Sequence, residues 1–346
     1  MDNAIFPQKN YRAGVMRALR ETSSFWIQSA SGYLSGVWNG CDPKPGVRIL
    51  SYHGVVEQKK DPRLERNLTL LAHFRAHLRF LRRLHVLSLA ELRDELGKPS
   101  ERKKTAVALT FDDGFANNLI AAEILHRYRL PWMLSVPTGV IGEGKALWTV
   151  ELSLLLLQGR ARHVEALGSS WPLGDRKLRE AAFQAIRCRM KKLPADLRIQ
   201  TLERLREQFP AGETQRLLDQ FPSLRMLNWR EVSELAGAGA EIGSHGVNHE
   251  IHHHDQPENL RKNELSCSKA EIERRLGRAC VFFSFPNGDF LERSPEEVSA
   301  AGYDLAFTTQ PGSTRSCSSR YLLPRLDPPG SLPSFVRLMW WELQRG

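Results

Sequence analysis

Two aspartates stand side by side in Ala108-Leu-Thr-Phe-Asp-Asp-Gly-Phe115, where an apolar run ends. The run Thr105-Ala-Val-Ala-Leu-Thr-Phe111 reads as a short strand, buried on both faces. From Ala116 the chain reads as a helix with Leu119, Ile120, Ile124 and Leu125 on one face. Asp112 and Asp113 therefore fall on a strand-to-helix loop, at the strand end where α/β folds place their chemistry. Asp before Gly is also an ordinary turn or helix cap. Adjacent carboxylates near a low-dielectric floor repel, however, and call for a cation or a proton. The segment Glu241-Ile-Gly-Ser-His-Gly-Val-Asn-His-Glu250 offers the complement. It puts His245 just after a second strand and His249 four residues on. Two imidazoles, one carboxylate and an open fourth position form the donor set of a catalytic zinc. A His-x-x-x-His spacing alone is a weak signal; beside a strand-end Asp-Asp it is stronger. His252, His253 and His254 follow and read as exposed loop residues outside the ligand set.

Holding such residues at one mouth takes alternating strands and helices. Segments 47–52, 85–88, 105–111, 131–136, 241–244, 280–285 and 305–308 read as strands. Segments 70–84, 89–96, 229–236, 259–276, 295–301 and 332–343 read as helices. The pattern predicts an α/β chain, a distorted or incomplete (β/α) barrel of about seven strands. Between Gly142 and Arg225 the texture shifts to Leu, Arg, Glu and Gln with few β-branched residues. A helical insertion is expected there, including helices over 179–191 and 195–208. The expected organisation is an N-terminal helical extension (1–46), a first barrel part (47–141), the insertion (142–225), a second barrel part (226–331) and a C-terminal helix (332–346).

The 346 residues are 41% hydrophobic and 25% charged, enough for a sizeable core. The formal net charge is +10 and the pI about 9.6. The basic residues are scattered in short clusters such as Arg102-Lys-Lys104, and no nucleic-acid recognition motif accompanies them. Nucleic-acid binding is therefore excluded, while an anionic polymer or membrane face stays open. Five cysteines without a CxxC pair argue against a disulfide framework and for a reducing compartment. The chain shows no secretory-signal layout and no bilayer-spanning run, so a cytoplasmic place is expected, with peripheral contact at the membrane face. Tyr11 to Trp38 reads as an aromatic-bearing helix that packs on the domain or a partner chain, or lies on a membrane. The oligomeric state is not legible.

Thr110-Phe-Asp-Asp-Gly114 and Ser244-His-Gly-Val-Asn-His249 together resemble the first two motifs of the polysaccharide deacetylases, the NodB-homology enzymes of carbohydrate esterase family four. The resemblance spans about Val47 to Leu326, apart from the insertion. It implies a distorted (β/α) barrel holding zinc or another divalent transition metal. It makes Asp112 the general base and Asp113, His245 and His249 the ligands. Phe283-Ser-Phe-Pro-Asn-Gly288 resembles the family's third motif, in which the backbone N–H after the proline, here that of Asn287, helps hold the oxyanion. The family's arginine shortly before that proline is missing, and Arg325 in Leu323-Pro-Arg-Leu-Asp327 is its candidate replacement. The C-terminal Leu-x-His motif that supplies the acid is also absent. Leu50-Ser-Tyr-His-Gly-Val55 instead resembles the Tyr-His motif of a permuted branch that includes exopolysaccharide deacetylases, which makes His53 the general acid. The implied reaction is removal of N-acetyl groups from the amino sugars of a glycan or glycolipid. Deformylation, action on a lipid-linked sugar, and a non-catalytic glycan-binding scaffold are the alternatives.

Overall fold

Thr105–Phe111 carries only two polar side chains, and all seven of its residues are buried. Such a strand must be covered on both faces, which sets the architecture. A computed structural model describes residues 46–96, 105–142, 144–314 and 319–341. Its strands are β1 (Gly46–Tyr52), β2 (Val55–Val56), β3 (Thr69–Leu70), β4 (His85–Leu87), β5 (Thr105–Phe111), β6 (Met133–Val136), β7 (His163–Ala166), β8 (Ser169–Pro172), β9 (Glu241–Ser244), β10 (Phe282–Ser284) and β11 (Leu305–Phe307). Seven of them form one sheet in the order β1-β5-β6-β9-β10-β11, with β4 also on β5. All of its pairs are parallel. β4 and β6 share one side of β5: Ala106 faces His85, and Thr110 faces Met133.

The sheet curls until its edges nearly meet, and one extended segment fills the gap. Leu323 bridges to Phe307 of β11, and Leu326 bridges to Leu50 of β1. The Ser51 N–H donates to Leu326 O at 3.0 Å, and the Thr308 N–H donates to Leu323 O at 2.9 Å. Alternate strand residues then separate into two cores. Leu50, Tyr52, Val107, Leu109 and Phe111 pack outward against Phe74, Leu78 and Leu125 of the helices Leu71–Leu81 and Asn118–Tyr128. Ile49, Ala106, Ala108, Met133, Leu305 and Phe307 fill the inside of the curl. The expected distorted (β/α) barrel of about seven strands is the observed fold.

The insertion has an apolar core of its own, built from Leu152, Leu155, Leu156, Phe183, Ile186, Met190, Leu202 and Leu205. Its helices are Trp148–Gln158, Arg176–Met190, Ala195–Arg206 and Glu213–Gln220. The leucine run at 152–157 is explained by a helix buried all round. The expectation of helices alone needs correction, because β7 and β8 form an antiparallel hairpin. Its two-residue turn is Leu167-Gly168, with φ of 55° and 74°. A primed turn needs positive φ at both positions, and leucine there gives no turn signal. The expected helix at 11–38, Cys41 and Cys317 lie outside the described residues. Among the described residues no helix is long and apolar enough to cross a membrane.

Candidate metal and proton-transfer site

Parallel strands deliver their C-terminal ends to one mouth, so β1, β5, β9, β10 and β11 bring their following residues together. Asp112 and Asp113 follow β5, His245 follows β9, and His53 follows β1. Asp113 Oδ1 lies 3.5 Å from His245 Nε2 and 3.4 Å from His249 Nε2. The two imidazole rings meet edge to face, centroids 4.7 Å apart. All three residues are buried, and their donor atoms lie within 4.8 Å of one another.

These distances fit a metal. Donors bound at about 2.0–2.1 Å to one tetrahedral ion stand about 3.3–3.4 Å apart. They are longer than a charge-assisted hydrogen bond, typically about 2.7–2.9 Å. His245 Nδ1 lies 2.7 Å from Ser284 O and donates to it, which leaves the Nε2 lone pair facing the Asp113 oxygen. Two lone pairs facing each other in a buried site call for a cation between them. Three of the five non-glycine residues with positive φ among the described residues are Asp113 (72°), His249 (57°) and Asn287 (60°). Backbone strain of this kind is held where a site needs it.

Arg325, on the closing segment, is fully buried and grips Asp112. Its Nη2 donates to Asp112 Oδ2 at 2.6 Å and its Nη1 to Oδ1 at 3.0 Å. Nη1 also reaches Thr110 Oγ1 at 3.1 Å, and Nε donates to Thr308 O at 2.8 Å. Burial pushes the Asp112 carboxyl up, but the charges of Arg325 and His245 and the Arg325 hydrogen bonds outweigh it, so the net shift is downward. Burial likewise opposes ionisation of Asp113, yet the two imidazoles beside it and the charge of His53 hold it well below the ordinary range. His53 is half-buried at the rim. Its carbonyl accepts from Asn118 Nδ2 at 3.2 Å. The Asn287 side chain is engaged by Lys191 Nζ and donates to Asp289 Oδ2 at 2.5 Å.

The reading of 252–254 as exposed loop is corrected in part. His254 is exposed and His253 half-buried, but His252 is 2% exposed. It packs against Phe283 and Phe285, and burial, with the Arg261 and His253 charges, lowers its pKa to about 3. It lies outside the ligand cluster.

Two supports of the loop carrying His245 and His249 give no signal in the sequence. Glu264, on the helix Glu258–Leu276, accepts the Val247 N–H at 2.8 Å and the Asn248 N–H at 3.0 Å. Gly246 must be glycine there: its φ is +78°, and an added Cβ would stand 2.5 Å from Glu264 Oε2. Arg198 of the insertion pairs with buried Glu250, one residue past His249, and Trp148 Nε1 donates to His249 O at 3.4 Å. The cleft outside Asp113 holds about 60 Å³. A larger one of about 570 Å³ lies around Arg261, Arg293 and Glu296. Its arginines are already paired with Glu297 and Glu258, so it offers no comparable chemistry.

At the mouth of the α/β barrel stands an Asp-His-His cluster that could hold a metal ion. A family model described as polysaccharide deacetylase matches residues 208–306, the stretch that holds His245, His249 and Pro286-Asn-Gly288. The resemblance to the polysaccharide deacetylase family is thereby shown. The fold is shared with IcaB from Ammonifex degensii at a TM-score of 0.55 and 16% identity, over 86% of this chain and 97% of that one. The deacetylase PplD of Streptococcus pyogenes, solved in complex with acetate, matches at 0.52 and 16% identity, over 86% and 99%. A polysaccharide deacetylase from Bacillus cereus matches at 0.52 and 13%, over 86% and 69%. A search of curated proteins returns no match.

Proposed function

We propose that this chain removes N-acetyl groups from the amino sugars of a glycan or glycolipid, releasing acetate, with a divalent metal, zinc by preference. The observation that carries this reading is the buried Asp113–His245–His249 cluster beside an arginine-clamped Asp112. The family model and the acetate held by the PplD structure support it. Asp113, His245 and His249 would hold the ion. A bound ion would polarise the acetamide carbonyl and make water at the site a better nucleophile. Asp112, kept ionised by Arg325, accepts the proton of the attacking water. The Asn287 N–H donates to the oxygen on which charge develops. His53, at the half-buried rim, donates a proton to the departing amine. The division into extension (1–46), barrel (47–141 and 226–331), insertion (142–225) and terminal helix (332–346) is part of the same proposal. So is peripheral contact with a membrane face, where a glycolipid would be met.

Metal content and acetate release from N-acetylchitooligosaccharides test the assignment together. His249→Ala is expected to lose bound zinc. Asp112→Asn is expected to keep zinc and lose about 10²- to 10⁴-fold in turnover. His53→Ala should keep zinc and turn over slowly. Full turnover in Asp112→Asn would remove it as the base, and loss of zinc in His53→Ala would make that residue a ligand.

A further inference from the structure

The cleft leading to Asp113 is lined by Arg63, Arg66, Phe183 and Arg187. Arg63 is held by Asp61, Nη2 to Oδ2 at 2.5 Å, yet its Nη1 is buried without a partner. Arg187, on the helix Arg176–Met190, lies 5.4 Å over the Phe183 ring. Its Nη2 donates to Gln184 Oε1 at 2.7 Å, while its Nε is buried and unpartnered. Arg66 is exposed and has no ion pair among the described residues. Lys191 extends the cluster to the Asn287 turn by donating to Asn287 Oδ1. Of the nearby carboxylates, Asp61 is engaged by Arg63 and Gln158, Glu65 by Ser223 and Asp289 by Asn287, while Asp113 lines the same cleft and the Glu180 charge acts on Arg63.

The cations also act on one another. The charge of Arg187 bears on both Arg66 and Lys191, and that of Arg66 on Lys191. A neutral acetamido sugar gives no reason to gather them at the rim. Guanidinium forks with idle donors match the oxygens of a phosphate. We propose that this cleft receives a phosphate group of the substrate, next to the acetamido sugar presented at Asp113. The inference rests on the deacetylase reading and narrows it to phosphorylated glycans or sugar phosphates. The phosphate is carried either by a polymer or by a lipid carrier.

Calorimetry on the full chain tests this with three ligands: N-acetylchitotetraose, its 1-phosphate, and the same sugar on a short prenyl diphosphate. At least one phosphorylated ligand should bind roughly tenfold tighter than the neutral sugar, the gain expected of a charge-assisted contact. The preference should shrink at high salt, and the tighter of the two identifies the carrier. Arg66→Gln and Arg187→Gln should each reduce the preference, and the double variant should abolish it. Arg66 is exposed, so its variant keeps the test alive if loss of Arg187 disturbs Phe183. Equal binding of the three ligands, no binding of any, or a preference that survives in the double variant would overturn the inference. Acetate release is scored separately. Release without a phosphate preference sinks this inference alone, and no release from any of the three sinks the deacetylase reading.

Discussion

Arg325 reaches Asp112 across 213 positions of chain. The contact exists because the segment Leu323–Leu326 closes the barrel and turns this side chain into its mouth. There the guanidinium satisfies Thr308 O, Thr110 Oγ1 and both Asp112 oxygens at once. A lysine carries the charge but cannot make the planar, two-pronged contact. Arg325→Lys should therefore leave zinc content unchanged and lower kcat roughly tenfold to a hundredfold, the loss of one charge-assisted bond. Acetate release with metal analysis checks this, and an unaltered kcat would reduce Arg325 to a plug of the barrel. The residue types of the site could be read from the chain: Asp112, Asp113, His245 and His249 carry their own spacing. The partner of Arg325 could not, because only the closed sheet brings the two ends together. The burial of His252 was hidden for a similar reason, since Phe283 and Phe285 come from another strand.

At the scale of elements, strand and helix periods were legible wherever a segment repeats its apolar spacing. β5 and β9 match their expected bounds because each is short and closed by a polar loop. The β7–β8 hairpin was not legible, since its turn rests on a leucine in the left-handed region. Nor could the sequence show that the insertion touches the loop carrying His245 and His249. Arg198, 1% exposed, lies 5.0 Å over the Trp148 ring and pairs with Glu250, while Ile251 enters the insertion's core. The loop carrying His245 and His249 is thus clamped between Glu264 on one side and the insertion on the other. Arg198→Met leaves the Glu250 carboxylate buried and unpaired, which should cost about 3–5 kcal/mol. Adding Glu250→Gln should restore part of that loss, because the two changes share one contact. Urea unfolding of the two variants, with zinc titration, measures both effects. A loss below about 1 kcal/mol with unchanged zinc affinity would detach the insertion from the site.

For the whole molecule the sequence yields a net charge of +10 but not where charge is withheld. Glu264 is such a place. Burial pushes its carboxyl up from 4.5 to about 7, with the Glu250 charge adding and the Asn248 and Val247 N–H groups opposing. The folded chain therefore holds a proton on Glu264 that the unfolded chain has released between those two values. Stability must then fall as pH rises, because the unfolded state binds fewer protons. The contribution is complete below about pH 4.5 and gone above about pH 7, on the order of 3 kcal/mol in all. Asp112 and Asp113 work the other way and in another window: both are depressed, so their contribution is lost only as pH falls below the ordinary aspartate range. Glu264→Gln removes the titration while keeping an oxygen for the loop N–H groups. The wild-type protein should lose stability relative to this variant as pH rises through the interval up to about 7, at fixed zinc. Urea midpoints of the two proteins across that range give the difference directly. A difference that stays flat would mean that Glu264 is ionised throughout, its charge carried by the Val247 and Asn248 N–H donors, and that the loop between His245 and His249 is held by an anion.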